Sequence, residues 1–113
     1  MNPDTAGFQD VLVVVSVRPA LEEPMVDWLL GWRGDTGFSR VVVEEHSAQH
    51  EHMTTAELVK GRQRRVQFQI RMPAAELDAL LTSAREQFGG ADVHYWVLPL
   101  LDGGHLGAAP NAT

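Results

Sequence analysis

The 113-residue chain contains no cysteine, which excludes disulfides, thiolate nucleophiles and cysteine-based zinc or iron–sulfur sites. It also lacks an apolar run near the ~20 residues of a membrane-spanning helix, and its start lacks a basic cluster before an apolar stretch. We therefore expect no membrane insertion and no secretory signal. Basic residues are few, 9 against 15 acidic ones, and the net charge of -6 argues against nucleic-acid binding. With 44% apolar residues, the composition predicts one small cytoplasmic domain.

The apolar residues alternate between strand and helix periods in the order β-α-β-β-α-β. The predicted strands cover residues 11–17, 38–46, 65–72 and 93–98, and the predicted helices cover 21–32 and 73–88. We place this folded domain at 10–101. The small polar residues of 1–9 predict a disordered N-terminus, and those of 102–113 predict a flexible tail.

This order of elements predicts an α+β, ferredoxin-like βαββαβ fold with a four-stranded antiparallel sheet. Right-handed crossovers place both helices on one face of that sheet. Strand alternation then assigns the opposite face to Leu12, Val14, Gln67, Gln69, His94, Trp96 and Leu98. No further helix is predicted to cover it, and exposing such side chains costs ~1.5–3 kcal/mol for each large one. We therefore expect an oligomer.

Motifs of hydrolytic and phosphate chemistry are missing: the sequence has no G-x-S-x-G, H-E-x-x-H or G-x-x-x-x-G-K. Glu44 and Glu45 are adjacent, so in a strand they point to opposite faces and cannot act as a catalytic pair. Some acylphosphatases of this topology use an arginine with an asparagine, but Asn2 and Asn111 lie in the terminal tails. We expect a protein that is not an enzyme. A small ferredoxin-fold enzyme is the least favoured alternative.

Histidines concentrate between the second and third strands, where His46, His50 and His52 fall within seven positions and Met53 follows directly. In extended backbone, positions of equal parity face the same side, so His50 and His52 can approach one ion, and His46 can join them. Imidazoles with a thioether suit copper, and imidazoles alone accept zinc or nickel. These residues predict a transition-metal site. The alternative is that they are solvent-exposed residues of a polar insert.

Positive charge is also local, since five of the nine basic residues lie within 60–71, a stretch without an acid. Lys60, Arg62, Arg64 and Arg65 stand at the end of a polar insert covering 47–61, and guanidinium groups offer bidentate donors to an anion. This arrangement predicts, as an alternative function, a small-anion or nucleotide sensor at a cleft between subunits. The competing interpretation is that the arginines point into water and pair with Glu44 and Glu45.

Four segments resemble the PII-like proteins, the trimeric ferredoxin-like group that includes nitrogen-signalling PII and CutA. More narrowly, they are similar to a proteobacterial subfamily of unassigned function that is often encoded beside heavy-metal efflux pumps of the resistance–nodulation–division type. The segments are Val-Asp-Trp-Leu-Leu at 26–30, His-Ser-x-x-His at 46–50, Gly-Arg-Gln-Arg-Arg-Val-Gln-Phe at 61–68 and His-Tyr-Trp-Val-Leu-Pro at 94–99.

The resemblance implies a homotrimer in which 47–61 corresponds to the signalling T-loop and contacts a membrane transporter or another protein. It also implies a ligand site at the loop base, in the cleft between subunits. The chain lacks the family's T-G-x-x-G-D-G-K phosphate loop, so we do not expect ATP binding in the PII manner. The uridylylation tyrosine also has no counterpart, because the only tyrosine is Tyr95. We expect a regulator of transition-metal homeostasis or efflux whose 47–61 loop responds to ligand.

Overall fold

A computed structural model describes residues 9–32, 37–46 and 62–107. The statements below concern these residues. The insert at 47–61 lies outside them, as do 1–8 and 108–113, the larger part of the predicted N-terminal segment and half of the predicted tail. The predictions of disorder and flexibility for those ends remain predictions.

The elements follow the predicted order, with one short 3-10 turn ahead of each helix. They are β1 (Asp10–Val17), α1 (Glu22–Gly31), β2 (Phe38–Glu45), β3 (Gln63–Pro73), α2 (Leu77–Phe88) and β4 (His94–Pro99). The strands form one antiparallel sheet in the order β2-β3-β1-β4. The α+β ferredoxin-like fold class is therefore confirmed.

The two prolines near helix starts behave differently. Pro24 lies in the first turn of α1, where its missing N–H removes a donor that would have no helical partner. Pro73 was predicted to open the second helix, but it ends β3 with an extended ψ of 136° and pairs with Asp10 in the register. Helix α2 begins only at Leu77, after the 3-10 turn Ala74–Glu76.

The core lies between the sheet and the two helices. It is built from alternating residues of the central strands and from one side of each helix. From the strands come Val11, Val13, Val15, Val17, Val66, Phe68, Ile70 and Met72, and from the helices Met25, Leu29, Leu77, Leu80, Leu81 and Phe88. The ring of Trp28 meets Phe88 edge-on at 5.6 Å, and its Nε1–H donates to Ser83 Oγ at 3.2 Å. These contacts join α1 to α2.

The other side of the sheet, which we call the open face, carries the residues of opposite parity. Leu12 pairs with Arg71 and Leu98, and Val14 pairs with Gln69 and Trp96. The predicted assignment of faces is therefore confirmed. Trp96 is 42% exposed and Leu98 43%, since both described helices pack on the opposite side.

Among the described residues, neither helix combines the length and apolar character needed to cross a bilayer.

Candidate functional site

The base of the 47–61 segment is a rigid pair of strands. Glu45 and Gln63 form the last residue pair of β2 and β3, and His46 and Arg62 follow on the two sides. His46 is exposed. The other predicted metal ligands, His50, His52 and Met53, lie outside the described residues, as does Lys60. The described part of the chain contains no group of three potential His, Asp or Glu ligands, so the metal site stays a prediction.

Two of the predicted anion-binding arginines lie at this base on the surface. Arg62 Nη1 is 3.1 Å from Glu44 Oε2, and both side chains are about half exposed. Such a pair contributes at most about 1 kcal/mol to stability. Arg64 stands opposite Glu44 in the register and is also exposed. For Arg62, the geometry matches the interpretation in which the arginines pair with the neighbouring glutamates.

Arg65 differs from its neighbours because its side chain is only 2% exposed. Its Nε donates to Ser16 Oγ at 2.7 Å, and its Nη2 donates to the Ser16 carbonyl at 2.8 Å. Its Nη1 donates to Asp92 Oδ2 at 3.0 Å, and Nη2 also reaches the Asp92 carbonyl at 3.0 Å. The competing interpretation is wrong for Arg65 in placing it in water, because serine and aspartate oxygens surround it within the protein, although the pairing with Glu45 is present. Its role as an anion ligand stays a prediction.

The contacts continue on both sides of the arginine. Glu45 Oε2 lies 3.6 Å from Arg65 Nε, and Glu45 Oε1 accepts a hydrogen bond from Ser16 Oγ at 3.4 Å. Beyond Asp92, the Oδ1 atom lies 2.7 Å from His94 Nε2. We call these five residues, Ser16, Glu45, Arg65, Asp92 and His94, the Arg65 network. It connects the end of β2 to the start of β4 across both central strands.

Asp92 carries the one resolved shift in acidity within this network. Partial burial of its carboxyl raises the pKa, but hydrogen bonds from His94 and Arg65, together with their positive charges, lower it more. The net result is a pKa below the ordinary value of 3.8. Asp92 therefore stays ionised beside the buried guanidinium, as charge neutralisation requires.

One feature of the sequence indicates this network. Ser16 interrupts an otherwise apolar run from Val11 to Val17, and it is fully buried. A buried hydroxyl requires a hydrogen-bonding partner. That partner, Arg65, is 49 residues away along the chain.

At the opposite end of the sheet, Arg71 contributes to a second charged feature. Its Nη2 donates to Asp10 Oδ2 at 3.3 Å, and both groups line an open cleft of about 360 Å³ together with Gln9 and residues 100–103. The described cations of the basic stretch are thus divided between the two ends of β3 and form no single patch.

We expect Arg65→Leu to lower the free energy of unfolding by about 3–5 kcal/mol, because the substitution leaves a partly buried carboxylate without its cation. Arg62→Leu is the matched control and should cost less than about 1 kcal/mol, since its ion pair is exposed. Urea unfolding at neutral pH measures both. Equal costs for the two substitutions would contradict the structural role of the Arg65 network.

Asp92→Asn should destabilise the protein in a pH-dependent way. A carboxyl with a lowered folded pKa stabilises the native state above its unfolded pKa, taken as 3.8, and loses that contribution as pH falls through the folded value. The difference in unfolding free energy between wild type and variant should therefore be smaller below pH 3.8 than above it. Denaturant titrations on either side of this pH test it. A difference that widens in acid would refute the assignment.

Solved structures of low sequence identity share this fold. A DUF3240 family protein from Shewanella baltica OS155 superposes with a TM-score of 0.70 at 24% identity, over 87% of this chain and 97% of that one. CutA from Synechococcus elongatus PCC7942 gives 0.60 at 16% identity, over 81% and 77% of the two chains. GlnK from B. subtilis gives 0.51 at 19% identity, over 82% and 86%. These likenesses show that the fold is that of CutA and GlnK.

Among curated proteins, none matches the sequence. A family model does match it, over residues 8–107, which is nearly the whole chain, and that family is described as "Protein of unknown function (DUF3240)". By this match, the chain belongs to the DUF3240 family.

Proposed function

We propose that this chain is a non-enzymatic, PII-like regulatory protein of the cytoplasm whose 47–61 segment responds to a bound transition metal. The observation that supports this most is the way in which the segment is attached. It leaves from and returns to neighbouring paired strands, whose last pair is Glu45 and Gln63. Hairpin connections usually have 2–5 residues, and a much longer one on a rigid base is typical of a binding segment.

The Arg65 network supports the proposal by fixing that base. Glu45, the last residue of β2, contacts both Arg65 and Ser16, and Arg65 is bonded to Asp92 beside β4. The strand ends are therefore held by partly buried polar contacts as well as by the sheet. A ligand bound by the segment would change the arrangement of the segment while its attachment points stay in place.

Metal binding is the ligand chemistry that these residues favour. His46 stands exposed at the end of β2, and His50, His52 and Met53 follow within a few positions. Copper suits this mixture of imidazole and thioether, while zinc and nickel accept the imidazoles alone. Metal binding would hold the segment in one arrangement and change the surface offered to a partner, such as a metal-efflux transporter. The response is limited by the difference in metal affinity between the two arrangements.

Small-anion binding has less support. Arg65 donates to Ser16 and Asp92, and Arg62 lies against Glu44, so both positive charges are already matched by carboxylates. An external phosphate or carboxylate would have to compete with these groups.

The open face supports assembly of the regulator into an oligomer, and the resemblance to the trimeric PII-like group makes it a homotrimer in our proposal. Trp96, Leu98 and Val41 are each more than two-fifths exposed there, while the helices cover the other side of the sheet. A second copy of the chain would remove this apolar surface from water, which is favourable in proportion to the area buried.

The double substitution His50→Ala with His52→Ala tests the metal proposal. Substitution of a residue that only hydrogen-bonds a metal-coordinating side chain weakens metal binding by ~10–100-fold. Substitution of two coordinating histidines should therefore weaken it more. Calorimetric titrations with copper, zinc and nickel measure the change. His105→Ala, in the exposed stretch after β4, is the control and should bind as wild type does. Unchanged affinity in the double variant would overturn the metal assignment.

Leu98→Lys tests the assembly, because it places a charge on the open face. We expect sedimentation at micromolar concentration to find a trimer for the wild type and smaller species for this variant. Leu30→Lys is the matched control, since Leu30 is 65% exposed on α1 away from the open face, and it should remain trimeric. A wild-type particle of 12.5 kDa would refute assembly.

A further inference from the structure

A cleft at the end of the sheet remote from the 47–61 segment takes no part in the proposed metal binding. It lies where β1 begins, β3 ends and the chain leaves β4, and residues 100–103 form one of its walls. The Leu100 N–H donates to the Asp10 carbonyl at 3.1 Å, which holds this wall against β1. The volume of about 360 Å³ falls within the range of roughly 300–1,000 Å³ that small-molecule sites occupy.

Among the residues that line the cleft, Arg71 is the cationic one, and its guanidinium has N–H donors available for a ligand. A guanidinium carries five N–H donors, and the Arg71 bond to Asp10 uses one of them. The Arg71 side chain is 50% exposed and that of Asp10 is 37% exposed, so this pair is weak and screened by solvent. A ligand carboxylate could therefore bind Arg71 without a large loss from the pair with Asp10.

The absence of a side chain at Gly103 allows the chain to pass close to this guanidinium. A Cβ atom placed on Gly103 would lie 3.1 Å from Cζ, Nη1 and Nη2 of Arg71, which is closer than ordinary van der Waals contact. The backbone of residues 100–103 therefore passes directly over the guanidinium at a residue without a side chain. This close approach explains how a segment after β4 and a residue of β3 form one cleft.

Two carboxylates line the same cleft as this single cation. Asp10 and Asp102 both line it, and Asp102 Oδ1 accepts the Gly103 N–H at 2.8 Å. The lining therefore carries a net negative charge, although it includes the positively charged side chain of Arg71. A simple anion would meet two carboxylates and a simple cation would meet Arg71, whereas a molecule carrying both charges would satisfy all three groups.

Apolar surface completes the cleft. Leu100 and Leu101 line it, and Leu101 is 89% exposed. An aliphatic group placed against Leu101 would remove apolar surface of both molecules from water.

We propose that this cleft binds a small zwitterion, an α-amino acid with an aliphatic side chain. Its carboxylate accepts hydrogen bonds from Arg71, its ammonium group is bound between Asp10 and Asp102, and its side chain packs against Leu101. Charge-assisted hydrogen bonds of this type are stronger than neutral ones, and both ends of the ligand make them.

Calorimetric titration of the full chain with four probes tests the proposal. L-leucine carries both charges, N-acetyl-L-leucine lacks the ammonium group, L-leucinamide lacks the carboxylate, and glycine lacks the side chain. We expect L-leucine to bind most tightly and each analogue that lacks a charge to bind about tenfold more weakly or worse. Glycine should also bind more weakly than leucine. Equal affinities for leucine and the two blocked analogues, or no binding of leucine, would overturn the proposal.

Variants then assign each ligand charge to its protein partner. Arg71→Gln should abolish the preference for leucine over leucinamide, and Asp102→Asn should reduce the preference for leucine over N-acetyl-leucine. Arg40→Gln is the matched control, because Arg40 is a half-exposed arginine of β2 that pairs with Glu22 and should leave both preferences unchanged. If Arg71→Gln keeps the wild-type preference, the proposed orientation is wrong. None of these outcomes depends on metal binding by the 47–61 segment, so the two proposals fail separately.

Discussion

Coverage of one side of a four-stranded sheet by two helices is the constraint on which the other features of this protein depend. The strands bury Val13, Phe68 and Ile70 completely beneath those helices, and this burial supplies the main stabilisation of the fold. The same period of two sends Trp96 and Leu98 to the side that the described helices leave open. The buried core and the exposed apolar surface therefore have a single origin.

The Arg65 network adds a second kind of constraint to this sheet. A buried guanidinium is costly to remove from water, and it is tolerated where carboxylate and carbonyl oxygens accept its donors. Here Ser16 of β1 and Asp92, in the connection before β4, meet that requirement. Such contacts contribute less to net stability than apolar burial does, but they are directional, so they fix how the ends of the strands lie beside one another.

The two ends of the sheet consequently have different chemistry. The end that includes Glu45 and His46 carries the long connection and is stabilised by partly buried polar contacts. The other end, around Arg71 and Gly103, is an open cleft in which the charged groups remain partly in water. Fixed attachment suits the ligand response that we propose for the 47–61 segment, whereas partly solvated charges suit the reversible binding that we propose for the cleft.

Local patterns in the sequence were sufficient to predict the order of elements, the two faces of the sheet and the exposed apolar surface. The reason is that the periods of strands and helices are visible within a few consecutive residues. They also marked the concentration of histidines around His46. Only the tertiary structure determined which groups the arginines of the basic stretch contact. Arg65 contacts Ser16 and Asp92, which lie 49 and 27 residues away along the chain and which no local pattern identifies. Arg71 lines an open cleft beside Gly103, a residue that follows the last strand. Alternation alone assigns each of these arginines to a face, but only the folded chain determines which oxygens stand within hydrogen-bonding distance of it.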